Sequence, residues 1–286
     1  MKTVTDTLGL ARSNIVERVR GVRPKRGPQT RDGDRELTAA IRRLVDARPT
    51  PGLCRGRLYG YRRIAALLKR ERRSDGLAPV NAKRVYRLMQ RHGLLLARHT
   101  GRRRLREHDG QVATLRSNIR WCSDGLEFTC WNGEVVRLAF ALDCHDREVI
   151  SWVATTAGVS GEMIRDMMVD CVERRFGAIR APHPVQWLSD NGSIFAAHRT
   201  IEIALALNLV PCFTPVESPE SNGMAEAFVK TLKRDYVRVS LIPNAAAALA
   251  LVDRWMEDYN TVHPHSRLGY RSPREYILSQ PVACPV

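Results

Sequence analysis

The 286-residue chain lacks the features that mark several classes of protein. It contains no uninterrupted apolar run long enough to span a membrane. Its first fourteen residues, MKTVTDTLGLARSN, lack the apolar core and cleavage site of a secretory signal peptide. We therefore expect a soluble, intracellular protein without a membrane partner.

Cysteine is present but unpatterned. The seven cysteines are scattered, with no CxxC or CxxH pair, which argues against a zinc ribbon. Their odd number argues against a disulfide framework. Since most of them lie in apolar runs, we expect them to be small buried residues.

Positive charge is abundant but unevenly spread. Residues 1–110 contain 29 Lys and Arg against 10 Asp and Glu, whereas residues 111–286 contain 17 against 20. Most of these basic residues are arginine, whose guanidinium forks onto phosphate or guanine. The imbalance predicts a module that binds a polyanion, joined to a near-neutral domain; a merely basic surface is the alternative.

Composition and periodicity divide the chain into four predicted segments. Residues 1–35 are polar and arginine-rich and are predicted to form a basic arm or linker. Helical apolar periodicity runs through residues 36–97, and a second basic stretch, 98–112, follows as a linker. Residues 113–278 are predicted to form a larger domain.

The segment 36–97 contains three predicted short helices, as in a helix-turn-helix module. Asn81 is placed to cap the third helix and Gly93 to end it. In the second helix, four basic residues are predicted to face outward: Arg62, Arg63, Lys69 and Arg70. We predict that the basic third helix enters a DNA major groove; a three-helix core without DNA contacts is the alternative. The predicted DNA contacts of this module are Arg62, Arg63, Lys83, Arg84 and Arg87.

The larger domain is predicted to be a mixed α/β sheet of the ribonuclease H type. Three strand-like runs are separated by a tight Asn132-Gly133 turn and by the polar stretch 145–148, which is typical of an antiparallel meander. Helices and two short strands then alternate. The predicted helices include 194–209, 221–239 and 244–259, and a proline-rich tail follows.

Two aspartates do not fit a simple surface. Asp124 alternates with Cys122, Leu126 and Phe128 and so shares a face with apolar residues. Asp190 ends a predicted strand, where α/β proteins place ligands. The alternatives are a strand-end aspartate facing water and an Asp-Asn-Gly turn with no other role.

Glu226 lies beside the apolar stripe of a predicted helix, in line with Lys230 and Lys233. An exposed Glu–Lys pair worth a few tenths of a kcal/mol is the alternative explanation. Together with the two aspartates, however, Glu226 supplies a third carboxylate from a third element. Three carboxylates can hold two Mg²⁺ ions about 4 Å apart over a scissile phosphate.

Other polar residues are better explained by structure than by chemistry. Asp143 and Asp146 flank a predicted turn, and a turn-forming role is favoured over metal binding. His263 and His265 follow the last predicted helix, where packing is favoured.

Several motifs, in order, resemble a known family. LSDNGS and SPESNGMAEAFVKTLKRDY, with 35 residues between Asp190 and Glu226, resemble the catalytic core of the retroviral integrase superfamily and its DDE signature. WCSDGLEF, FALDCHDREVISW and YNTVHPHSRLGYRSPREY resemble transposases of the insertion sequence three family, insertion sequence two subgroup. GYRRI and VNAKRVYRLMQRHGL resemble the helix-turn-helix module of those proteins.

The resemblance implies Mg²⁺-dependent DNA strand cleavage and strand transfer at the ends of an insertion sequence, with Mn²⁺ as a substitute. It implies that Asp124, Asp190 and Glu226 are the metal-binding triad, and that Lys230 and Lys233 contact DNA near it. It also implies double-stranded DNA as the partner, a homo-oligomer on that DNA and a location at the bacterial nucleoid.

The chain departs from retroviral integrases in one respect. Those proteins carry a His-His-Cys-Cys zinc module at the front, whereas His92, His99 and His108 have no paired cysteines, so we predict no zinc. Relatives of this kind are often fused by frameshifting to an upstream product. No heptad zipper is evident here. Two interpretations stay open: a chain that acts by itself, and a downstream-frame product that is inactive without an upstream-frame fusion partner. A DNA-binding regulator with a decayed core and a nuclease that cuts without joining are the competing functions.

Overall fold

The computed structural model describes residues 6–7, 9, 30–47, 59–96, 114–214 and 222–280. The predicted basic linker and most of the predicted basic arm lie outside these residues. Among the residues described, no helix is both long and apolar enough to cross a membrane.

Three helices form the first module: α1 (Asp34–Asp46), α2 (Tyr61–Ser74) and α3 (Ala82–Arg91). Helix α3 begins as predicted, because the Asn81 side chain accepts a hydrogen bond from the backbone N–H of Lys83. Gly93 follows its last turn with a φ of 60°, a conformation that favours glycine.

The apolar faces of these helices share one core. Ile41 of α1, Ile64 of α2 and Met89 of α3 are fully buried in it. Residues three and four apart on each helix supply this face, which is the periodicity that predicted the helices. The predicted three-helix module is confirmed.

The larger domain is built on five strands: β1 (Arg120–Thr129), β2 (Val135–Asp143), β3 (Val149–Thr155), β4 (Val185–Ser189) and β5 (Leu209–Phe213). Their order in the sheet is β3-β2-β1-β4-β5. The first three strands pair antiparallel, and β1, β4 and β5 pair parallel. Gly133 turns the first hairpin with a φ of 89°, so the predicted meander is confirmed.

Helices cover both faces of the sheet: α4 (Gly161–Phe176), α5 (Ser193–Ala196), α6 (His198–Ala206), α7 (Gly223–Asp235), α8 (Ala245–Thr261) and α9 (Pro273–Leu278). On one face, Phe140 of β2 meets Phe228 of α7 with ring centroids 4.5 Å apart. On the other, Trp121 of β1 packs in a cluster with Met168 of α4. This is the predicted ribonuclease H-like arrangement.

The predicted helix over 194–209 is interrupted. Ala197 has φ −59° and ψ 133°, which is extended backbone, and it separates α5 from α6. The Thr200 hydroxyl donates to the Ile194 carbonyl over 3.1 Å across the break. The break lets Phe195 of α5 reach the core on its own.

The segment after α8, predicted as a proline-rich tail, contains α9. Ser272 and Glu275 form a reciprocal capping box, and Pro273 occupies the first turn, where its missing N–H is harmless. The S-x-x-E spacing of Ser272 and Glu275 is a capping-box signal in the sequence, but the nearby prolines favoured the prediction of a tail without a helix.

His263 and His265 pack as predicted. Their rings lie 5.5 Å and 4.8 Å from the Tyr259 ring, centroid to centroid. The Tyr59 hydroxyl of the first module forms a 2.8 Å hydrogen bond with His263 Nδ1. The first module and the larger domain therefore meet at this aromatic cluster.

The cluster makes stability depend on pH. Burial, followed by the positive charges of Arg147 and Arg63, lowers the pKa of His265 from 6.5 to about 3. The folded state therefore favours the neutral ring. The neutral ring contributes fully to the free energy of unfolding above the unfolded-state pKa. This contribution is lost as the pH falls towards 3, and the free energy of unfolding decreases by at most about 1.4 kcal/mol per pH unit.

We expect His265→Phe to abolish this part of the acid sensitivity. In urea unfolding from about pH 7 to about pH 5, the free energy of unfolding should fall more steeply with decreasing pH in the protein than in the variant. His198→Phe, at an exposed position, should keep the original slope. Parallel curves for the protein and His265→Phe would contradict the prediction.

Candidate active site

Asp124 lies in β1 on the face that α7 covers. The strand alternation predicted from the sequence places it between buried Cys122 and Leu126, and Asp124 itself is half-buried. One carboxylate oxygen accepts a 2.8 Å hydrogen bond from the Gly125 backbone N–H. Its carboxylate therefore sits at the edge of an apolar core with little solvent.

Asp190 follows β4, the parallel neighbour of β1. Cys122 pairs with Leu188 in the register of these strands, and the two aspartates each lie two residues further along. Parallel strands continue side by side, so the register alone brings Asp190 beside Asp124. The Asn191 side chain donates to the Thr214 carbonyl over 2.8 Å and ties this loop to the end of β5.

Gly192 makes room for the Asp190 side chain. The Gly192 N–H donates a 3.0 Å hydrogen bond to Asp190 Oδ1. A Cβ added at Gly192 would stand 2.9 Å from that same oxygen, closer than real Cβ contacts allow. The sequence suggested a turn at Asn191-Gly192, but it gave no sign of this second role.

Glu226 lies in the first turn of α7. Ala225, Phe228 and Leu232 bury the face of α7 that packs on the sheet, and Glu226 stands beside that face. Just before the helix, the Asn222 side chain donates to the Ser123 carbonyl over 3.3 Å. Because Ser123 precedes Asp124, this bond fixes the start of α7 next to that aspartate.

The charges of the other two acids act on Asp124. The pKa of Asp124 is raised, first by burial and then by the negative charges of Asp190 and Glu226, while the Gly125 hydrogen bond opposes the shift. Only charges close to Asp124 act on it in this way. Elements far apart in sequence thus deliver three carboxylates to one edge of the sheet.

The three side chains do not yet surround a single point. Among the residues described, no group of three or more His, Cys, Asp or Glu side chains is arranged to hold a metal ion. Glu226 instead forms an ion pair with Lys230 over 2.7 Å, and the Asp190 carboxylate accepts a hydrogen bond from the Gly192 N–H. The metal-binding role of the triad stays a prediction.

The two lysines predicted beside Glu226 lie where the helix period places them. Lys230 is exposed, and Lys233, one turn further along α7, is half-buried. The Glu226–Lys230 ion pair, the alternative to a metal-binding role for Glu226, is formed in the structure next to the other two carboxylates.

The basic residues of α3 line a concave surface on the first module. A cavity of about 380 Å³ is bordered by Arg31, Arg72, Lys83, Arg84 and Arg87. Lys83 and Arg87 are exposed. Arg84 is engaged within the protein, since its guanidinium pairs with Asp34 over 2.7 Å.

The arginines of α2 are directed elsewhere. Arg63 pairs with buried Asp235 of the larger domain over 3.0 Å. Arg70 donates to the Thr261 and Val262 carbonyls. Arg63 and Arg70 do face away from the core of the first module, as predicted, but they contact the larger domain, with partners far away in the sequence. Arg62 is exposed and donates to the Tyr61 hydroxyl.

Asp143 and Asp146 have the predicted turn-forming role. Asp143 Oδ1 accepts from the backbone N–H groups of His145 and Asp146. The sequence did not show that both are fully buried or that Arg175 pairs with Asp146.

Family models match most of the chain. A model described as an HTH-like domain matches residues 32–104, and two models described as integrase core domains match residues 115–219 and 209–273. All three acids fall within the integrase core matches.

Two curated relatives extend this match. The uncharacterized protein Atu4601 of insertion element IS136 from Agrobacterium fabrum is 60% identical over 195 residues, covering 68% of this chain and 100% of that protein. Transposase InsD for insertion element IS2A/D/F/H/I/K of Escherichia coli is 48% identical over 245 residues, covering 85% of this chain and 79% of that protein.

A solved structure shares the fold. A chain of the simian T-cell lymphotropic virus intasome, in complex with PP2A regulatory subunit B56 gamma, aligns with a TM-score of 0.50 and 14% identity, covering 76% of this chain and 73% of that one.

Fold and models together define an integrase-type catalytic core preceded by a helix-turn-helix-like module. The chain belongs to the family of insertion-element transposases that includes the InsD proteins, within the retroviral integrase superfamily, and its function is DNA transposition. The resemblance seen in the sequence is thereby confirmed.

The convergence of the acids predicts a measurable coupling. In metal-free protein, Asp190→Asn and Glu226→Gln should each lower the pKa of Asp124, because each removes a negative charge that raises it. The carboxyl carbon of Asp124, followed by NMR through a pH titration with chelator present, measures this shift.

Asp166→Asn is the matched control. Asp166 is exposed on α4, and its loss should leave the pKa of Asp124 unchanged. An unchanged Asp124 titration in Asp190→Asn would mean that the two aspartates lie apart.

Proposed function

We propose that Asp124, Asp190 and Glu226 form the active site at which this transposase cuts and joins DNA strands at the ends of an insertion sequence. The observation that carries the proposal is the packing that gathers the acids: the register of β1 and β4 sets Asp190 beside Asp124, and the Asn222 bond to Ser123 brings the start of α7 to the same place. The pKa of Asp124 is raised by its burial and by the two other acids, in keeping with this arrangement. A half-buried carboxylate flanked by two more is costly unless a cation joins them.

The donor set suits a hard divalent cation. Integrase core domains use a divalent metal ion. Carboxylate oxygens are the ligands that Mg²⁺ prefers, and Mg²⁺ needs only one or two from the protein, with water and substrate phosphates completing its shell. Asp124 and Asp190, on neighbouring strands, would be that pair, with Mn²⁺ as a substitute.

Glu226 would join them after leaving Lys230. When bound, divalent ions supply activation of the attacking oxygen and stabilisation of the leaving oxygen of a phosphodiester. Lys230 and Lys233 extend from the carboxylates along α7, so the two ammonium groups can hold the phosphates of a DNA strand over the acids.

Two transfers at this site account for transposition. Water attacks a phosphodiester at the element end, and the strand leaves with a free 3′-hydroxyl. That hydroxyl then loses its proton as it attacks a second phosphodiester, so one phosphodiester bond forms as another breaks. Because bond number is conserved, joining needs no energy cofactor and no covalent protein intermediate.

Recognition of the DNA ends falls to the first module. The third helix of a helix-turn-helix reads the major groove while flanking basic residues bind phosphates. Lys83 and Arg87, exposed on α3 beside the basic cavity, are the contacts that we favour. Arg62 on α2 remains a predicted contact.

The substrate and the family also bear on partners and location. We propose that the chain acts as a homo-oligomer on double-stranded DNA, at the bacterial nucleoid, and that an upstream-frame fusion partner adds to its DNA binding. Two ends must be brought together for joining, which a single binding module does not achieve.

Glu226→Gln tests the site. Loss of one metal ligand removes several kcal/mol of transition-state stabilisation, so nicking and joining of an end duplex should fall about a thousandfold. Binding of the same duplex should persist, because the first module is untouched. Denaturing gels with Mg²⁺ measure nicking, and mobility shifts measure binding.

Glu202→Gln, an exposed glutamate of α6, is the matched control and should leave both reactions intact. Nicking retained in Glu226→Gln would remove Glu226 from the site. Nicking by the unaltered chain without any joining would favour the competing nuclease function.

Salt tests the DNA surface. If α3 contacts phosphates, the affinity of the full chain for an end duplex should fall steeply with salt. Arg87→Ala should make the slope of log K against log salt shallower by about 0.9, the value for one lost phosphate contact.

Arg199→Ala, at an exposed position of α6, should leave the slope unchanged. Fluorescence anisotropy at several salt concentrations measures the slope. An equal slope in Arg87→Ala and in the unaltered chain would exclude Arg87 from phosphate contact.

A further inference from the structure

We propose that Asp235 is a positioning residue that docks the helix-turn-helix-like module onto the catalytic core through Arg63 and so selects the phosphodiester that reaches the active site. The proposal rests on the proposed function for the site itself. It gives a role to an arginine whose charge alone suggests DNA binding.

The contact begins with a buried carboxylate. Asp235 is 2% exposed at the end of α7. Its Oδ2 accepts from Arg63 of α2 over 3.0 Å. The same guanidinium lies 5.1 Å from the centre of the Tyr59 ring, and the Tyr59 hydroxyl bonds His263 of the core over 2.8 Å.

A second attachment lies two turns further along α2. Arg70 donates to the Thr261 and Val262 carbonyls at 3.4 Å and 3.3 Å. It also pairs with Glu275 of α9. Arg63 and Arg70 are seven residues apart, which places them on the same face of α2 about 10 Å apart along its axis. Two attachments restrain both the position and the rotation of α2.

Packing contacts connect helix α2 to the DNA-reading helix on one side and to the candidate active site on the other. On one side, α2 shares its apolar core with α3, the predicted DNA-reading helix. On the other side, Asp235 and Glu226 belong to the same helix, nine residues or about 14 Å apart. Helix α7 is fixed to the sheet by Phe228 and Leu232. Packed elements therefore join the DNA-reading surface to the catalytic glutamate.

Arg63 is not required to neutralise Asp235. Arg234, its neighbour on the same helix, already donates to both carboxylate oxygens at 2.6 Å. The bond from Arg63 therefore adds a connection between modules to a charge that the core has balanced by itself. This arrangement suits a residue that sets geometry.

The role predicts a change in where DNA is cut. An active site tolerates little misplacement of its substrate, and about 1 Å costs up to about a hundredfold in rate. In Asp235→Asn, end binding should stay within about twofold of the unaltered chain, since the DNA surface is unchanged. Nicking should fall about tenfold, and the remaining nicks should spread to neighbouring phosphodiesters.

End-labelled duplex on a sequencing gel maps the nicks. Tyr59→Phe, which removes only the hydroxyl that bonds His263, should produce a milder spread. Asp170→Asn is the control for lost stability, because Asp170 is also an arginine-paired carboxylate but lies on α4, on the opposite face of the sheet from α7. It should lower the yield of nicks without moving them.

Nicks confined to the normal phosphodiester in Asp235→Asn would overturn the proposal while leaving the proposed function intact. An unaltered chain that binds ends and makes no nick with Mg²⁺ would overturn both. Hydrogen exchange tests docking without activity: the amides of α2 should exchange faster in Asp235→Asn, with β1 and β4 unchanged. Unchanged exchange in α2 would also overturn the docking role.

Discussion

The packing that brings three carboxylates to one edge of a sheet is the constraint on which the candidate site of this transposase depends. The parallel register of β1 and β4 sets Asp190 beside Asp124, and the Asn222 bond to Ser123 brings the start of α7, with Glu226, to the same place. None of these elements relieves the charge of the others. Burial of Asp124 makes the arrangement more costly still. An apolar core thus holds these acids together: Lys230 balances Glu226 in the structure, and we propose that a divalent cation balances Asp124 and Asp190.

In the basic first module, composition alone does not tell which arginines contact DNA. Its arginines suggest a continuous DNA surface, yet the structure divides its basic residues between two tasks, the proposed DNA contact on α3 and the contact with the larger domain. Lys83 and Arg87 remain exposed on α3. Arg63 and Arg70 bind the catalytic core instead. Arginine serves both tasks because a planar guanidinium pairs equally with phosphate, carboxylate and carbonyl oxygen.

Much of the fold was predictable from local signals. Asn81 and Gly93 bounded the third helix, the Asn132-Gly133 turn set the first hairpin, and alternation put Asp124 on an inward face. Some features depended on distant partners: nothing near Arg63 in sequence reveals Asp235. The break before α6 was missed although it is local, because its residues are compatible with a continuous helix; burial of Phe195 and the Thr200 bond to Ile194 accompany it. The candidate triad followed from spacing and resemblance, whereas the approach of α7 to β1, which brings its members together, needed the tertiary structure.

Gly192 has a consequence for the mutational tolerance of this loop. Its backbone, with φ −57° and ψ 140°, is one that any residue adopts, so the need for glycine comes only from the nearness of the Asp190 oxygen. Any other residue at 192 would rotate that aspartate away. This restraint on residue 192 depends on the Asp190 side chain. In a copy of the element that had lost Asp190, residues other than glycine would be tolerated at position 192.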